Sequence, residues 1–139
     1  MKTALLFGAS GLVGQHLLNQ LIKDNNYSKI KLFVRSFPEI NDLKIEIIKT
    51  DFNKLQNHKE DIKGDDCFFC IGTTKKNSPD KNEYRRVKFE VPKKVAQIAK
   101  SNAVNSFFFV SSGYADSKSS GDYLKFKGEV EEELKRLDF

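Results

Sequence analysis

The sequence has no hydrophobic run long enough to cross a membrane. A spanning helix needs about 18 or more consecutive apolar residues, and the apolar runs of this chain are far shorter. The first residues, Met1 to Leu6, lead into Gly8 rather than into the cleavage site of a secretory signal. We therefore expect no membrane partner and a cytoplasmic location.

Cysteine and histidine are also scarce, with two of each in 139 residues. Cys67 and Cys70 have the spacing of a redox or zinc pair, but they lie inside an apolar run that predicts a buried strand. In a strand they would point to opposite faces and lie roughly 10 Å apart, whereas a disulfide needs Cα atoms within about 7 Å. His16 and His58 lie away from this pair. We expect two core thiols and predict no metal site.

The length and composition are those of one globular domain, which we predict to span residues 1–139. Hydrophobic residues make up 39% of the chain, and we find no repeat, linker or low-complexity segment. The net charge is +5, and the excess of lysine and arginine over acidic residues in residues 75–94 equals this whole charge. A solvated helix face explains such a segment better than a nucleic-acid surface does, so no nucleic-acid partner is expected.

Five apolar runs bounded by polar turns predict β-strands. They are Thr3–Phe7, Ile30–Val34, Ile45–Ile48, Cys67–Ile71 and Phe107–Val110. Helical spacing of apolar residues follows in three segments, namely Leu17, Leu18, Leu21 and Ile22; Tyr84, Val87, Val91, Val95 and Ile98; and Phe126, Val130, Leu134 and Leu137 within 122–137. Pro92 requires the second regular helix to begin near Val91. Apolar strands alternating with helices predict a doubly wound α/β fold, a Rossmann-like parallel sheet with strand order 3-2-1-4-5.

The first strand runs into glycines at positions 8, 11 and 14 and then into a helix. Gly8 suits the positive φ of a tight turn, Gly11 lets backbone approach a pyrophosphate, and Gly14 lets the helix pack closely. The free N–H groups of the helix start would face the anion. The predicted cofactor contacts of this turn are Gly8, Ser10, Gly11, Leu12, Val13 and Gly14. A turn that merely joins strand to helix is the alternative.

Other predicted cofactor contacts follow the remaining strands, because ligands of such sheets bind at the carboxyl ends. Arg35, where an acidic residue would favour NAD, favours the 2′-phosphate of NADP; an ordinary solvated arginine is the alternative. Asp51 and Phe52 suit an adenine amino group and ring, although Asp51 could equally cap a helix. The fourth and fifth strands add Cys70, Gly72, Thr73 and Ser111. We predict NADP, as NADPH, as the preferred cofactor and NAD as the alternative.

Tyr123 and Lys127 have the spacing of neighbours one turn apart on a helix. A phenol must lose about three pKa units, roughly 4 kcal/mol, to exchange protons near neutral pH. An ammonium 4–5 Å away supplies about 3–4 kcal/mol at an effective dielectric near 20. The pair therefore suits a proton relay.

Taken in order, the motifs GASGLVG, VRS, DF, CIGTT, FFFVSSGYAD and YLKFKGEVE resemble the short-chain dehydrogenase/reductase superfamily. Among its members the chain is most similar to the atypical branch around the Tat-interacting protein oxidoreductases. The resemblance implies that Tyr123 is the general acid and base, that Lys127 holds the cofactor ribose and lowers the tyrosine pKa, and that Ser112 orients the substrate, with Ser111 nearer the cofactor.

Two departures from the family pattern affect the expected function. Lys88 stands where many relatives have an asparagine of the proton relay, and relatives continue beyond the last helix into a sixth strand and the substrate pocket. The chain thus looks like an incomplete domain. We expect it either to form a homo-oligomer, through its bare fifth strand or the adjacent helix 122–137, or to be only marginally stable, and to show little or no turnover.

The leading prediction for function is an NADP-dependent oxidoreductase that acts on an unidentified small carbonyl or alcohol. A non-catalytic NADPH-binding regulator is the first alternative. A relative of the nucleotide-sugar epimerases and dehydratases is the second.

Overall fold

A parallel sheet forms the centre of the molecule, whose computed structural model describes residues 1–71, 89–110 and 121–139, without the side chains of 121–127. The elements in chain order are β1 Lys2–Phe7, α1 Leu12–Lys23, β2 Tyr27–Val34, β3 Ile45–Lys49, the 3₁₀ helix η1 Leu55–His58, β4 Asp66–Phe69, α2 Val91–Ser101, β5 Ser106–Phe109 and α3 Gly121–Leu137. The sheet order is β3-β2-β1-β4-β5, and every pairing is parallel. The predicted Rossmann-like order is confirmed.

Each strand of the sheet centre is apolar on both faces because helices cover both sides. Leu5, Phe7 and Phe69 belong to the core beneath α2 and η1, whereas Ala4 and Leu6 belong to the core beneath α1. Phe7 stacks on Phe33 of β2, with ring centroids 4.3 Å apart and an interplanar angle of 6°. The stacked rings stabilise the pairing of β1 with β2 in the register of their backbone hydrogen bonds.

The two cysteines lie on opposite faces of the sheet, as expected. Cys67 is in the core beneath α2 and Cys70 is in the core beneath α1, and both thiols are free. Burial raises the pKa of the Cys70 thiol to about 11. Burial, with a smaller effect of Cys70, also raises the pKa of the Cys67 thiol. Both therefore stay protonated at neutral pH and act as small apolar side chains.

The helix predicted to begin near Val91 begins at that residue, and Pro92 lies in its first turn. There the missing N–H of proline costs no helical hydrogen bond. The upstream part of that predicted stripe, Tyr84 and Val87, lies outside the described residues, as does Lys88.

The prediction for the fourth strand was wrong at its end, because β4 stops at Phe69 rather than at Ile71. The N–H of Cys70 still donates to the carbonyl of Phe7, at 2.8 Å. The next backbone atoms instead pack against the turn after β1, where Gly8 lies. Strand β4 therefore stops pairing with β1 at this contact.

Strand β5 lies at one edge of the sheet, beside β4. Phe108 stacks on Phe68 of β4, with centroids 4.9 Å apart, and remains 48% exposed. No described helix has the length and apolar composition needed to span a membrane. Self-association through β5 stays a prediction.

Candidate functional site

The turn after β1 lies at the middle of the carboxyl edge of the sheet. The chain goes from β1 to β2 on one side, and β4 lies on the other side of β1. This reversal leaves a crevice between loops that diverge in opposite directions, which is where ligands of open α/β sheets bind. The predicted cofactor contacts that follow β1, β2, β3 and β4, described as far as Cys70, lie around this crevice.

Gly8 is required by its conformation and by its neighbour. Its φ is +95°, a value that favours glycine, and a Cβ there would lie 2.6 Å from the Cys70 carbonyl carbon and the Ile71 nitrogen. Gly8 therefore lets the turn pass directly over the end of β4.

Gly14 is also required by the fold. It is buried in α1, and a Cβ there would overlap the carbonyl oxygen of Gly8 and lie 2.7 Å from its carbonyl carbon. The close approach that glycine permits at this position is between the helix and the turn itself.

Gly11 differs from these two glycines, because the described chain does not need a glycine there. Its φ of −78° and ψ of 168° suit any residue, and a Cβ at this position would have the Gly8 oxygen as its nearest neighbour, at 3.8 Å. Gly11 is the N-cap of α1, where serine, threonine, asparagine or aspartate would offer a capping oxygen. No side chain of the described residues caps this helix start, and its first turn has no acidic residue.

The first turn of α1 presents an open, apolar surface beside these backbone N–H groups. Leu12 is 75% exposed and Val13 is 41% exposed. Ser10 is exposed, and its carbonyl accepts a hydrogen bond from the Gln15 side chain at 3.0 Å. The helix start is therefore accessible to an anion.

Arg35 follows β2 directly and is exposed. The last residue of β2, Val34, pairs with Lys49 of β3, so a second cation stands at this corner. The Lys49 ammonium lies 5.9 Å from the ring centroid of Phe37. The two cations make this corner of the crevice basic.

Asp51 and Phe52 lie in a tight turn after β3. The Asp51 carboxylate accepts from the Asn53 N–H at 2.9 Å, and the Lys54 N–H donates to the Asp51 carbonyl at 2.9 Å. The N-cap of η1 is Lys54, so the alternative role of Asp51 as a helix cap does not apply to η1. The partly buried Phe52 ring lies 6.4 Å from the ring of Phe7.

A cleft of about 640 Å³ opens between this turn and the start of α2. Phe52, Asn53 and Asn57 line one wall, and Val91 and Lys94 line the other. Of these, the sequence pointed only to Phe52. The Asp-x-Asn spacing at residues 51–53, typical of a side-chain-stabilised turn, was the available signal.

No motif of the sequence indicates that His58 lies against this turn. Its ring accepts from the Asp51 N–H and contacts the Asp61 carboxylate. The available signal was its position in the loop after the third strand.

The remaining predicted residues are only partly described. Gly72, Thr73, Ser111 and Ser112 lie outside the described residues. Tyr123 and Lys127 lie one turn apart in the first half of α3, without described side chains. The structure thus places the residues of the first four strand ends around one crevice as far as Cys70, and the predicted proton relay stays a prediction.

Two curated proteins have sequences similar to nearly the whole of this chain. Protein HTATIP2 of Rattus norvegicus is 35% identical over 144 residues, which cover 99% of this chain and 58% of that protein. The mitochondrial protein FMP52 of Meyerozyma guilliermondii is 32% identical, and the match covers 98% of this chain and 60% of that protein. The chain thus spans about three fifths of the length of these relatives. The name of the second assigns that relative to mitochondria, so the cytoplasmic location of this chain stays a prediction.

Among solved structures, MoeE5 in complex with UDP-glucose and NAD superposes with a TM-score of 0.75 at 18% identity, covering 97% of this chain and 48% of that one. A short-chain dehydrogenase/reductase superfamily protein of Agrobacterium tumefaciens with bound NAD gives a TM-score of 0.76 at 17% identity, covering 96% and 44%. These likenesses confirm the fold. Residues 8–138 match the profile of an NAD(P)H-binding family, and this chain, with its Rossmann-like sheet and its likeness to protein HTATIP2, belongs to that family.

Proposed function

We propose that this protein is an NADP-dependent oxidoreductase of the short-chain type, which transfers a hydride between nicotinamide and a carbonyl or alcohol. The observation that carries the proposal is the contrast at the β1–α1 turn. Among the described residues, packing requires a glycine at Gly8 and Gly14 but not at Gly11, the N-cap of α1, which has no capping side chain. A ligand that lies against the backbone at Gly11 supplies the missing reason for that glycine.

The start of α1 fits a pyrophosphate. Its first-turn N–H groups and the positive end of the helix dipole attract an anion. No acidic side chain of the first turn opposes that charge.

Arg35 and Lys49 support NADP over NAD. An arginine at the end of β2 suits a 2′-phosphate, whereas an acidic residue there suits the free 2′-hydroxyl. In the same arrangement the adenine would lie in the cleft beside Phe52, and the Asp51 carboxylate oxygen that does not bond the Asn53 N–H would accept from the adenine amino group.

The cofactor supplies the hydride when it is bound, and this chain supplies the proton and the positioning. In the proposed roles, Tyr123 exchanges a proton with the substrate oxygen, Lys127 favours the tyrosinate and holds the ribose, and Ser112 orients the substrate oxygen. The helical spacing of Tyr123 and Lys127 in α3 supports a paired role. The substrate is a small carbonyl or alcohol whose identity is open.

Cofactor titration tests the binding part of the proposal. We expect NADPH to bind the wild-type chain more tightly than NADH. Arg35→Ala should weaken NADPH about tenfold or more, because a hydrogen bond to a charged group contributes about 1.5–3 kcal/mol, and should change NADH less than about twofold. Lys29→Ala, which removes an exposed cation of β2 far from the crevice, is the matched control. Equal wild-type affinities for the two cofactors would overturn the NADP assignment.

Turnover tests the catalytic part. In a version of the protein that has the full length of its relatives, Tyr123→Phe should bind NADPH as the wild type does and lose carbonyl reduction, because the transferable proton is gone while the ring remains. Lys127→Ala should weaken both. Tight NADPH binding by that full-length wild type without reduction of any carbonyl in a broad panel would instead support the regulatory alternative.

A further inference from the structure

The His58 ring hydrogen-bonds the backbone of the turn after β3. The backbone N–H of Asp51 donates to Nε2 of His58 at 3.3 Å, and Nδ1 of the same ring lies 3.4 Å from Oδ2 of Asp61. The ring is largely buried, with 16% of its side chain exposed. It therefore links the first residue of the cleft turn to the segment that leads into β4.

These contacts assign the proton of the neutral ring. Because Nε2 accepts from an N–H group, it carries no hydrogen. The single ring proton is then on Nδ1, from which it donates to the Asp61 carboxylate. Only this neutral tautomer satisfies both neighbours.

The turn that His58 holds carries the cleft wall. Asp51 begins the turn, and its carboxylate and carbonyl already accept from the N–H groups of Asn53 and Lys54. Phe52 and Asn53 line the cleft. The contact from His58 satisfies the remaining backbone donor of Asp51 and so fixes the angle at which this turn meets the cleft.

We propose that His58 is a positioning residue for the nucleotide cofactor, which sets the Asp51–Phe52 turn against the adenosine half and weakens cofactor binding when its ring gains a second proton. This inference rests on the proposed function, because it takes the cleft as the adenosine site. A proton on Nε2 would face the Asp51 N–H, so two donors would meet and the turn would lose its anchor.

Charged groups of several elements lie near the ring. Asp61 on the same segment contacts Nδ1 of the ring, and its backbone carbonyl accepts from the Lys31 ammonium of β2 at 3.2 Å. Asp51 lies on the turn itself, while Lys54 and, from the start of α2, Glu90 and Lys94 line the cleft beyond it.

The test is calorimetric titration of the full chain with NADP⁺, which is stable in acid, between pH 5.5 and pH 8. His58→Ala should weaken binding at pH 8 by about five- to tenfold. His58→Gln keeps an acceptor near the position of Nε2 and has no ring to protonate. It should bind within about twofold of the wild type at pH 8 and more tightly than the wild type at pH 5.5.

Two controls separate the ring from other titrations. The 2′-phosphate of NADP⁺ itself titrates near pH 6, so the comparison uses the difference between the wild type and His58→Gln at each pH. His16→Gln removes the other histidine, which is exposed on α1, and should follow the wild-type profile. Thermal unfolding of each variant without cofactor verifies that it is folded.

An unchanged affinity of His58→Ala at pH 8, or equal pH profiles for the wild type and His58→Gln, would overturn the positioning role. Failure of the wild type to bind NADP⁺ or NAD⁺ at any pH would overturn the proposed function, and the role of His58 with it.

Discussion

At the amino end of the sheet, polar side chains bond one another. At the carboxyl end, the backbone at the start of α1 has no such side-chain partner from its N-cap residue. The Tyr27 hydroxyl donates to the Asp66 carboxylate at 2.6 Å, and the Lys2 ammonium lies 3.4 Å from the same oxygen. These residues begin β2, β4 and β1, so one carboxylate joins three adjacent strands. At the other end, Gly11 begins α1 without a side-chain cap.

The comparison separates residues that stabilise the fold from those available to a ligand. Burial and the neighbouring Asp66 raise the pKa of Tyr27, so its hydroxyl remains a donor throughout the neutral range. The N–H of Thr3 also donates to the Asp65 side chain, at 2.7 Å. These polar groups of the amino end thus satisfy each other, whereas the N-cap residue of α1 at the carboxyl end has no side chain to offer.

Gly14→Ala should have the largest effect. At the carboxyl end itself, it distinguishes a glycine that the fold needs from one that a ligand needs. The new methyl group would overlap the Gly8 backbone, which cannot rotate away as a side chain could. We expect a loss of about 3 kcal/mol or more in the free energy of unfolding, a large part of the stability of a small domain. Urea denaturation measures it.

Gly11→Ala is the matched control for Gly14→Ala. Because its Cβ has room, its unfolding free energy should stay within about 1 kcal/mol of the wild type, while NADPH affinity falls at least about tenfold. Equal stabilities of the two variants would contradict the distinction between a glycine that the fold needs and one that the cofactor needs.

Tyr27→Phe should have an intermediate effect, confined to stability. The Asp66 carboxylate would lose its shortest hydrogen bond while remaining buried, which costs about 1–3 kcal/mol. NADPH affinity should not change, since Tyr27 lies at the opposite end of the sheet. The double variant with Asp66→Asn measures the coupling of the pair. A cofactor affinity that fell along with stability would break the comparison between the two ends.

The fold was accessible from the sequence because each strand of the sheet centre is an uninterrupted apolar run followed by a polar turn. Strand ends were less accessible. Tyr27, Ser28 and Lys29 lack that apolar pattern, yet they extend β2 because Tyr27 pairs with Lys2 and bonds Asp66. These are contacts across the sheet, which local patterning does not encode.

The sequence indicated the residues that follow the strands, such as Gly8, Arg35 and Phe52, because the carboxyl ends of parallel strands meet at one edge of the sheet. Gly8 stands out in the sequence because a positive φ favours glycine. The roles of His58 and Lys94 depend instead on η1 and α2 meeting beside the turn after β3. No spacing within one segment shows that meeting.

The smallest effect is expected outside both ends, where α3 packs on α2. The Arg136 guanidinium and the Gln97 amide both donate to Glu133, at distances from 2.5 to 3.2 Å. These bonds, with that from Arg136 the larger cause, lower the pKa of Glu133 to about 2. Because the folded value lies below the ordinary value of 4.5, the contribution to stability is fully present above about pH 4.5 and declines as the pH falls toward 2. Arg136 is 65% exposed, so solvent reduces this contribution to about 0.5–1 kcal/mol.

Glu133→Gln should therefore lose that amount of unfolding free energy at pH 7 and less than half of it at pH 3, as measured by urea denaturation, without a change in NADPH affinity at pH 7. Glu60→Gln, which breaks an ion pair on an 81% exposed side chain, is the matched control and should match the wild type at both pH values. A deficit of Glu133→Gln that grew as the pH fell would show that the carboxylate opposes the packing of α3 on α2.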